Sequence, residues 1–279
     1  MMDLNNLYFP IYNIQIVNNK NVKEGIDMKK ITILFISLML FSLANIAYAA
    51  EIHTDKVSKG AVGASHSASG KNLKVIIEKD GQKYSYALRN DGNPDYYPLQ
   101  LGSGSYKVSV LENVSGNKYS VLKSESINAN ISNNNDVYLN SIQIIDWKPS
   151  DPAISKASSL KNVDGVYGYI IKNVKYDYDK AKTVKPGYYP VLNETFKTNK
   201  GICYDYSSLE AGMLRSLGVP TKLVKGYAKG VDGYHAWNEI LINGAWVVVD
   251  STFDAAMWGG NVKYSMKKNT GDYQKVYEY

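Results

Sequence analysis

The sequence predicts an α+β fold, in which a small antiparallel β domain precedes a domain that mixes helices and strands. Three observations predict it. Strand-like runs separated by turn residues fill residues 71–148. Apolar positions at helical spacing follow over residues 155–173. A hairpin is then predicted by Asn243-Gly244 between two strand-like runs. With 279 residues available, we assign 71–148 to the β domain and 149–279 to the second domain.

The N-terminus has the pattern of a targeting segment. Met28-Lys29-Lys30 precedes an apolar run that ends near Leu43, and Ala47-Tyr48-Ala49 follows. We expect residues 28–49 to be a signal peptide cleaved after Ala49, with an uncleaved membrane anchor as the alternative. Residues 1–27 do not fit this pattern, and we expect them to be an untranslated upstream extension. The mature protein is then secreted or lies at the cell surface, with no stable membrane insertion.

The β domain is predicted to follow a flexible linker over residues 50–70, which is rich in Gly, Ser and Ala. Asp80-Gly81 separates two strand-like runs and indicates a hairpin. The predicted strands cover residues 73–77, 83–88, 97–101, 106–110, 118–122 and 137–145. Residues 71–148 contain neither His nor Cys. This domain is therefore either structural support or a module that binds or positions a substrate.

Helices and loops are predicted at the start of the second domain. Residues 155–173 are predicted to form one helix and residues 191–198 a short one. Between them, residues 185–190 have the composition of a loop. Tyr188 and Tyr189 in this loop are candidates to line a substrate cleft, and ordinary loop packing is the alternative.

Cys203 is the only cysteine, so it has no internal disulfide partner. It is an apolar filler, an intermolecular partner or a reactive thiol. An apolar stripe predicts a helix that begins at or just after Cys203, and Gly218 and Pro220 end it. A thiol at a helix N-terminus faces unpaired N–H groups and the positive end of the dipole. Both favour the thiolate, which is the nucleophilic form.

The predicted hairpin brings a histidine and a carboxylate together. The two-residue loop Asn243-Gly244 sets a register that opposes Trp237 to Asp250. His235 lies two residues before Trp237 and shares its face of the strand. His235 and Asp250 are then diagonal neighbours, with backbones roughly 7–8 Å apart, which long polar side chains can bridge.

Cys203, His235 and Asp250 together predict a nucleophilic site. His235 is the only histidine after residue 66. An imidazole can take the proton of a thiol, and a carboxylate can hold the correct imidazole tautomer. The same face carries Trp237, which is a candidate to shield a reaction intermediate from water, with core packing as the alternative.

These residues resemble the transglutaminase-like superfamily over residues 155–255. The nucleophile, histidine and aspartate follow one another in the order of that family. The matching motifs are Gly201-Ile-Cys-Tyr-Asp-Tyr-Ser207, Leu214-Arg-Ser-Leu-Gly-Val-Pro220, Gly226-Tyr227, His235-Ala-Trp-Asn-Glu239 and Trp246-Val-Val-Val-Asp-Ser-Thr-Phe-Asp254. The chain is similar to bacterial, exported members of the family.

The resemblance implies a papain-like core, in which the helix bearing Cys203 packs on an antiparallel sheet bearing His235 and Asp250. It implies acyl transfer from a carboxamide through a thioester to an amine or to water. Animal members of the family use calcium, but the sequence has no acidic calcium loop. We therefore expect no metal and no cofactor.

Three functions stay open at this point. The first is a crosslinking acyltransferase, the second is a peptidase, amidase or deamidase with the same three residues, and the third is a non-catalytic surface binding module. The expected partners are protein or peptide substrates outside the cell. The net charge of +6 indicates weak association with an anionic cell wall, with an ordinary solvated surface as the alternative. No basic run or stacking-aromatic motif indicates nucleic acid.

Overall fold

The computed structural model of the chain describes residues 49–68 and 70–279. The predicted untranslated extension over residues 1–27 lies outside the described residues. The predicted signal peptide over residues 28–49 does so as well, apart from Ala49. Within the described ranges, no helix combines the length and the apolarity that crossing a membrane requires.

Seven antiparallel strands form two sheets in the first half of the described chain. They are β1 (Glu51–His53), β2 (Ala61–Ser65), β3 (Leu73–Lys79), β4 (Gln82–Leu88), β5 (Asp95–Pro98), β6 (Gly104–Ser115) and β7 (Lys118–Ala129). One sheet has the order β1-β2-β5 and the other has the order β4-β3-β6-β7. Alternate residues of β3 and β6, such as Val75 and Val108, are fully buried between them. The sheets confirm the predicted antiparallel β region.

The flexible linker predicted over residues 50–70 is wrong, because β1 and β2 lie within it. Every residue of β2 is buried, and β2 pairs with both β1 and β5. Small residues are required here by close packing. A Cβ on Gly63 would lie only 2.9 Å from the Cβ of His53. The composition that resembled a linker is therefore that of a tightly packed strand.

The strand predicted over residues 137–145 is also wrong. The chain instead forms a 3₁₀ helix over Asn134–Leu139, followed by an isolated bridge between Ile142 and Ile145. The apolar residues of this segment serve different cores. Val137 packs in the β core, whereas Ile142 and Ile145 pack near the helix that begins at Cys203.

Helices dominate the next segment, up to the cysteine helix. The elements are α1 (Pro152–Leu160), α2 (Val163–Asn173), β8 (Lys175–Tyr176), α3 (Tyr178–Thr183), α4 (Leu192–Thr198), β9 (Lys200–Gly201) and α5 (Cys203–Ser216). The single helix predicted over residues 155–173 is split, because Lys161 takes a left-handed conformation with φ of 71°. Asn162 then caps α2 by accepting from Gly165 N at 2.9 Å. The short helix predicted over 191–198 is confirmed by α4.

A third antiparallel sheet carries the remaining predicted site residues. Its strands and the helix that follows them are β10 (Thr221–Ala228), β11 (His235–Ile242), β12 (Ala245–Val249), α6 (Ser251–Gly259) and β13 (Tyr273–Glu278). The strand order is β12-β11-β10-β13. The cysteine helix α5 packs on one face, where Leu209 and Met213 meet Ile240. Trp237 and Val224 are buried on the other face.

The two halves of the described chain pack together as one compact unit. Arg215 at the end of α5 is buried and holds three segments through backbone carbonyls. It donates to Thr221 O at 2.9 Å, Asn140 O at 2.6 Å and Tyr279 O at 2.9 Å. Asn140 lies in the predicted β domain, so this arginine ties the β region to the sheet with β10. The domain boundary at residues 148/149 stays a prediction.

Candidate active site

The helix N-terminus at Cys203 is held by a buried carboxylate. Cys203 is the first residue of α5, as the apolar stripe predicts. Asp205 accepts a hydrogen bond from Ile202 N at 2.9 Å, which caps the helix. Gly201 is required by this approach, because a Cβ there would lie 2.5 Å from the Cβ of Asp205. The backbone N–H of Cys203 belongs to the first turn, whose N–H groups have no partner within the helix.

The hairpin between β11 and β12 brings His235 and Asp250 together. The strand pairs run from Ile242–Ala245 to Asn238–Val249, which confirms the register predicted from the two-residue loop. Asp250 directly follows β12. His235 Nε2 lies 2.8 Å from Asp250 Oδ2, and both side chains are buried.

Asp250 is held by two further donors. Tyr273 donates its hydroxyl proton to Oδ2 at 3.0 Å, and Phe253 N donates to Oδ1 at 3.0 Å. The carboxylate thus caps α6 and orients the imidazole of His235 at the same time. Tyr273 is not among the site residues predicted from the sequence. It lies 23 positions after Asp250 on β13, and no motif or regular spacing links the two.

The imidazole of His235 joins the carboxylate to the thiol. Burial lowers the pKa of His235, but hydrogen bonds to Asp250 and Cys203 and the charges of both groups raise it to about 10. Since Nε2 bonds Asp250, Nδ1 is the nitrogen left for Cys203. This environment stabilises an imidazolium beside the sulfur, which favours a thiolate–imidazolium pair.

Cys203 and His235 open into a cavity of about 220 Å³. Its lining comprises Val184, Lys185, Gly187, Tyr188, Ile202, Cys203, Tyr204, Lys225, Tyr234, His235 and Ala236. Gly187 and Tyr188 also line a neighbouring cavity of about 480 Å³, together with Tyr189. The structure thus places the two predicted cleft tyrosines in the walls of adjoining cavities, and their contact with substrate stays a prediction.

Trp237 does not line the cavity of Cys203. Its ring lies 6.3 Å from the ring of His235, on the predicted face of the strand, but the side chain is only 1% exposed. It packs against Val224, Val248 and Tyr273. This position favours the core-packing alternative over contact with substrate.

The loop before α4 is anchored to the cysteine helix through Asp205. Tyr188 donates its hydroxyl proton to Asp205 Oδ1, and Lys180 Nζ donates to Oδ2 at 2.7 Å. Because Asp205 is fully buried, these bonds and the cap at Ile202 N together stabilise its charge. A residue of the motif around the cysteine therefore also fixes one wall of the cavity.

Metal binding is not indicated in the part of the chain that the structure describes. No group of three or more His, Cys, Asp or Glu residues there is arranged to hold a metal ion. The expectation that the protein uses no metal and no cofactor stays a prediction.

Comparison with known proteins gives a family match over residues 152–251, which fit the model of the transglutaminase-like superfamily. Among curated relatives, UPF0252 protein MJ1282 of Methanocaldococcus jannaschii is 29% identical over 98 residues, or 32% of this chain and 28% of that protein. Kyphoscoliosis peptidase of Mus musculus is 32% identical over 133 residues, or 43% of this chain and 19% of that protein. The chain thus spans less than a third of the length of either relative.

Among solved structures, the periplasmic domain of TgpA from Pseudomonas aeruginosa is similar at a TM-score of 0.34. It is 14% identical, and the match covers 76% of this chain and 96% of that domain.

Proposed function

Since residues 152–251 belong to the transglutaminase-like superfamily, whose relatives include cysteine-dependent enzymes, we propose that this chain is an exported cysteine acyltransferase acting on carboxamide side chains. One observation carries the proposal: the imidazole of His235 bonds the Asp250 carboxylate at 2.8 Å and lines the same cavity as Cys203, which helps to raise the pKa of His235. Nucleophile, proton carrier and orienting acid therefore stand in the order that acyl transfer needs.

In the acylation step, the Cys203 thiolate attacks the carbonyl carbon of the carboxamide and a C–S bond forms. The carbonyl electron pair moves to oxygen, and the backbone N–H of Cys203 is positioned to donate to this oxyanion. The pair then returns, the C–N bond breaks, and the His235 imidazolium gives its proton to the leaving ammonia. Asp250 keeps Nε2 engaged, so that the other nitrogen faces the reacting atoms.

In the second step, an amine or a water molecule attacks the thioester. Neutral His235 takes a proton from the incoming group as the new bond to carbon forms. The C–S bond breaks, and the electron pair returns to Cys203 as a thiolate. With an amine, the product is a new amide and therefore a crosslink. With water, it is a carboxylic acid.

The size of the cavity fits a macromolecular substrate. At about 220 Å³ it is smaller than the roughly 300–1,000 Å³ of typical small-molecule pockets. It therefore suits one side chain of a larger protein or peptide, whose flanking residues can extend into the adjoining cavity beyond Tyr188.

The alternative enzyme function is hydrolysis, as a peptidase, amidase or deamidase. The same three residues carry out this reaction when water reaches the thioester or the scissile bond is a peptide. The name of the mouse relative, a peptidase 32% identical over 133 residues, favours this alternative. A non-catalytic binding module is disfavoured, because a binding site has no need of an imidazole held between thiol and carboxylate.

The proposal is tested by following two products at once. The mature chain, residues 50–279, is incubated with a glutamine-containing protein and a labelled primary amine, and amine incorporation and ammonia release are measured. Cys203→Ala is the control. Incorporation that depends on Cys203 supports crosslinking, and ammonia release without incorporation indicates a deamidase. If neither appears, a peptide library cleavage assay tests the peptidase alternative, and its failure with a folded protein would favour the binding module.

The proposed location is outside the cell, and the proposed partners are protein or peptide substrates there. This rests on the signal-peptide pattern over residues 28–49, and the net charge of +6 supports weak attraction to anionic wall polymers. N-terminal sequencing of the protein from the culture medium and the wall fraction tests both points. A new N-terminus at Ala50 supports them, whereas retention in the cytosol contradicts them.

A further inference from the structure

A half-buried lysine in the Cys203 cavity has no carboxylate partner among the described residues. Lys225 lies on β10 beside Gly226, which pairs with His235. Its Nζ lies 3.5 Å from the centroid of the Tyr204 ring. Among residues 49–68 and 70–279, no carboxylate oxygen lies within 4.0 Å of this Nζ. Burial lowers the pKa of Lys225 to about 8, and the charge of Cys203 opposes that change. The ammonium has thus lost water without gaining a carboxylate.

Other lysines near the same sheet and helix do face carboxylates. The pairs are Lys180–Asp205 at 2.7 Å, Lys222–Glu278 at 3.1 Å, Lys275–Glu239 at 2.8 Å and Lys268–Asp254. A charge withdrawn from water without a partner costs free energy. The ammonium of Lys225, which has no carboxylate partner among the described residues, therefore differs from these paired lysines, and it lines the cavity of Cys203.

Apart from the Cys203–His235 pair, the charged side chains that line this cavity are both positive. Lys185 and Lys225 are in the lining, and neither Asp nor Glu is. The Cys203–His235 pair adds no net charge, either as thiol and imidazole or as thiolate and imidazolium. The lining therefore carries a net charge of +2, counted from its two lysines. A low-dielectric cleft lined by one sign of charge concentrates ligands of the opposite sign.

The adjoining cavity has no such imbalance. Its lining contains Arg89 and Lys148, but also Asp146 and Asp151. Arg89 forms ion pairs with Asp95 and with Asp146. Of the two cavities, only the one that contains Cys203 therefore has an unbalanced positive charge in its lining.

We propose that Lys225 selects acyl donors that carry a carboxylate beside the reacting carboxamide, such as a peptide in which Asp or Glu neighbours the acyl-donor residue. The inference rests on the proposed function of Cys203. The substrate carboxylate supplies the partner that the ammonium lacks. The rings of Tyr204 and Tyr279, whose centroids lie 3.5 Å and 5.4 Å from Nζ, hold the lysine in place.

Two small alkylating reagents test the charge without knowledge of the substrate. Iodoacetate and iodoacetamide both react as the thiolate sulfur displaces iodide, and they differ in carrying a carboxylate or a neutral amide. At pH 7, the rate with iodoacetate at Cys203 is divided by the rate with iodoacetamide. This ratio is then divided by the same ratio for a neutral small thiol. We expect a value well above one for the unaltered protein and a fall of about tenfold in Lys225→Met.

The variants separate charge from structure. Lys225→Arg keeps the cation and is expected to keep most of the preference for iodoacetate. Lys229→Met removes the same charge from a side chain that is 81% exposed, and is expected to leave the ratio unchanged. Lys225→Gln is the second neutral variant, to be used if Lys225→Met does not fold by circular dichroism.

A second arm uses peptides that differ at one position, with Glu or Gln beside the acyl-donor glutamine. We expect the Glu peptide to have the higher kcat/KM, and Lys225→Met to abolish the difference. The inference is overturned if the alkylation ratio does not change in the neutral variants, or if it changes while the peptides react equally. The ratio of alkylation rates can be measured however slowly Cys203 reacts. A slowly reacting thiol therefore contradicts the proposed function of Cys203 and does not contradict the proposed role of Lys225.

Discussion

His235 Nε2 lies 2.8 Å from Asp250 Oδ2, across the open end of the hairpin formed by β11 and β12. The loop Asn243-Gly244 lies at the far end of the hairpin and makes this short distance possible, because the two-residue loop determines which residues pair. A shift of one residue would turn His235 to the other face of the sheet. The reactive geometry thus depends on the turn at the far end of the hairpin as much as on the reacting residues.

Replacement of the orienting acid tests this arrangement. Asp250→Asn keeps the shape of the side chain and its hydrogen bond to Phe253 N, so we expect the fold to persist. Acylation should slow by at least about 100-fold, because the amide favours the wrong imidazole tautomer and no longer stabilises the imidazolium. The pKa of His235 should fall, since the Asp250 hydrogen bond and charge help to raise it. Stopped-flow acylation and an NMR titration of the single imidazole in His53→Gln/His66→Gln protein measure the two effects.

Unchanged acylation in Asp250→Asn would mean that Asp250 serves only as the cap of α6. Cys203→Ala is the reference for complete loss of activity, and circular dichroism of both variants should match that of the unaltered protein.

Tyr273 is expected to assist by holding the same carboxylate. Tyr273→Phe removes the hydroxyl that donates to Asp250 Oδ2 at 3.0 Å. A hydrogen bond to a charged group contributes about 1.5–3 kcal/mol, and we expect kcat to fall by about tenfold while KM stays unchanged. Tyr277→Phe on the same strand is the matched control, because its side chain is 54% exposed. Equal kcat values for the two variants would assign Tyr273 a packing role alone.

Much of the candidate site was accessible from sequence, because it depends on local rules. The start of α5 at Cys203 follows from an apolar stripe and the turn residues that end it. The meeting of His235 and Asp250 follows from hairpin register and strand alternation. Each rule relates residues that are close in the chain, and the structure confirms both the helix start and the register.

The rest depends on contacts between distant segments. Tyr273 meets Asp250, and Tyr188 meets Asp205, only once the tertiary fold has formed. Amino-acid composition was misleading at β2, because close packing there requires small residues. These residues resembled a linker although they lie in a buried strand. The same limit applies to Lys225, because the sequence does not show that an ammonium lacks a partner.

The contact between Tyr188 and Asp205 is expected to shape one wall of the cavity. Tyr188→Phe removes one of the donors to a buried carboxylate, which should lower the free energy of unfolding by about 1.5–3 kcal/mol. It should also raise KM, because the loop is held less firmly beside Cys203. Tyr178→Phe is the matched control, since the Tyr178 side chain is 69% exposed and its hydroxyl forms no side-chain hydrogen bond to another described residue. Urea unfolding and steady-state kinetics measure the effects, and identical behaviour of the two variants would contradict the prediction.

A buried acid behind the site gives the last prediction, which concerns stability. Glu210 lies on α5 and is fully buried. Burial raises its pKa from 4.5 to about 8; the neighbouring Ser251 side chain opposes the rise, and the charges of Asp250 and Asp254 add to it. Between pH 4.5 and 8 the folded protein therefore keeps a proton that the unfolded chain releases.

The contribution of Glu210 to the free energy of unfolding must then fall as pH rises through this window, by up to about 1.4 kcal/mol per pH unit. Glu210→Gln is neutral at every pH and lacks this dependence. We expect the variant to gain stability relative to the unaltered protein as pH increases from 5 to 8, in urea unfolding at several pH values. Glu194→Gln, at an exposed position of α4, controls for the general loss of a negative charge. If the stability curves of Glu210→Gln and the unaltered protein are parallel over this pH range, Glu210 is ionised in the fold and the prediction is wrong. The raised pKa of His235 affects the stability of both proteins equally and therefore cancels in the difference.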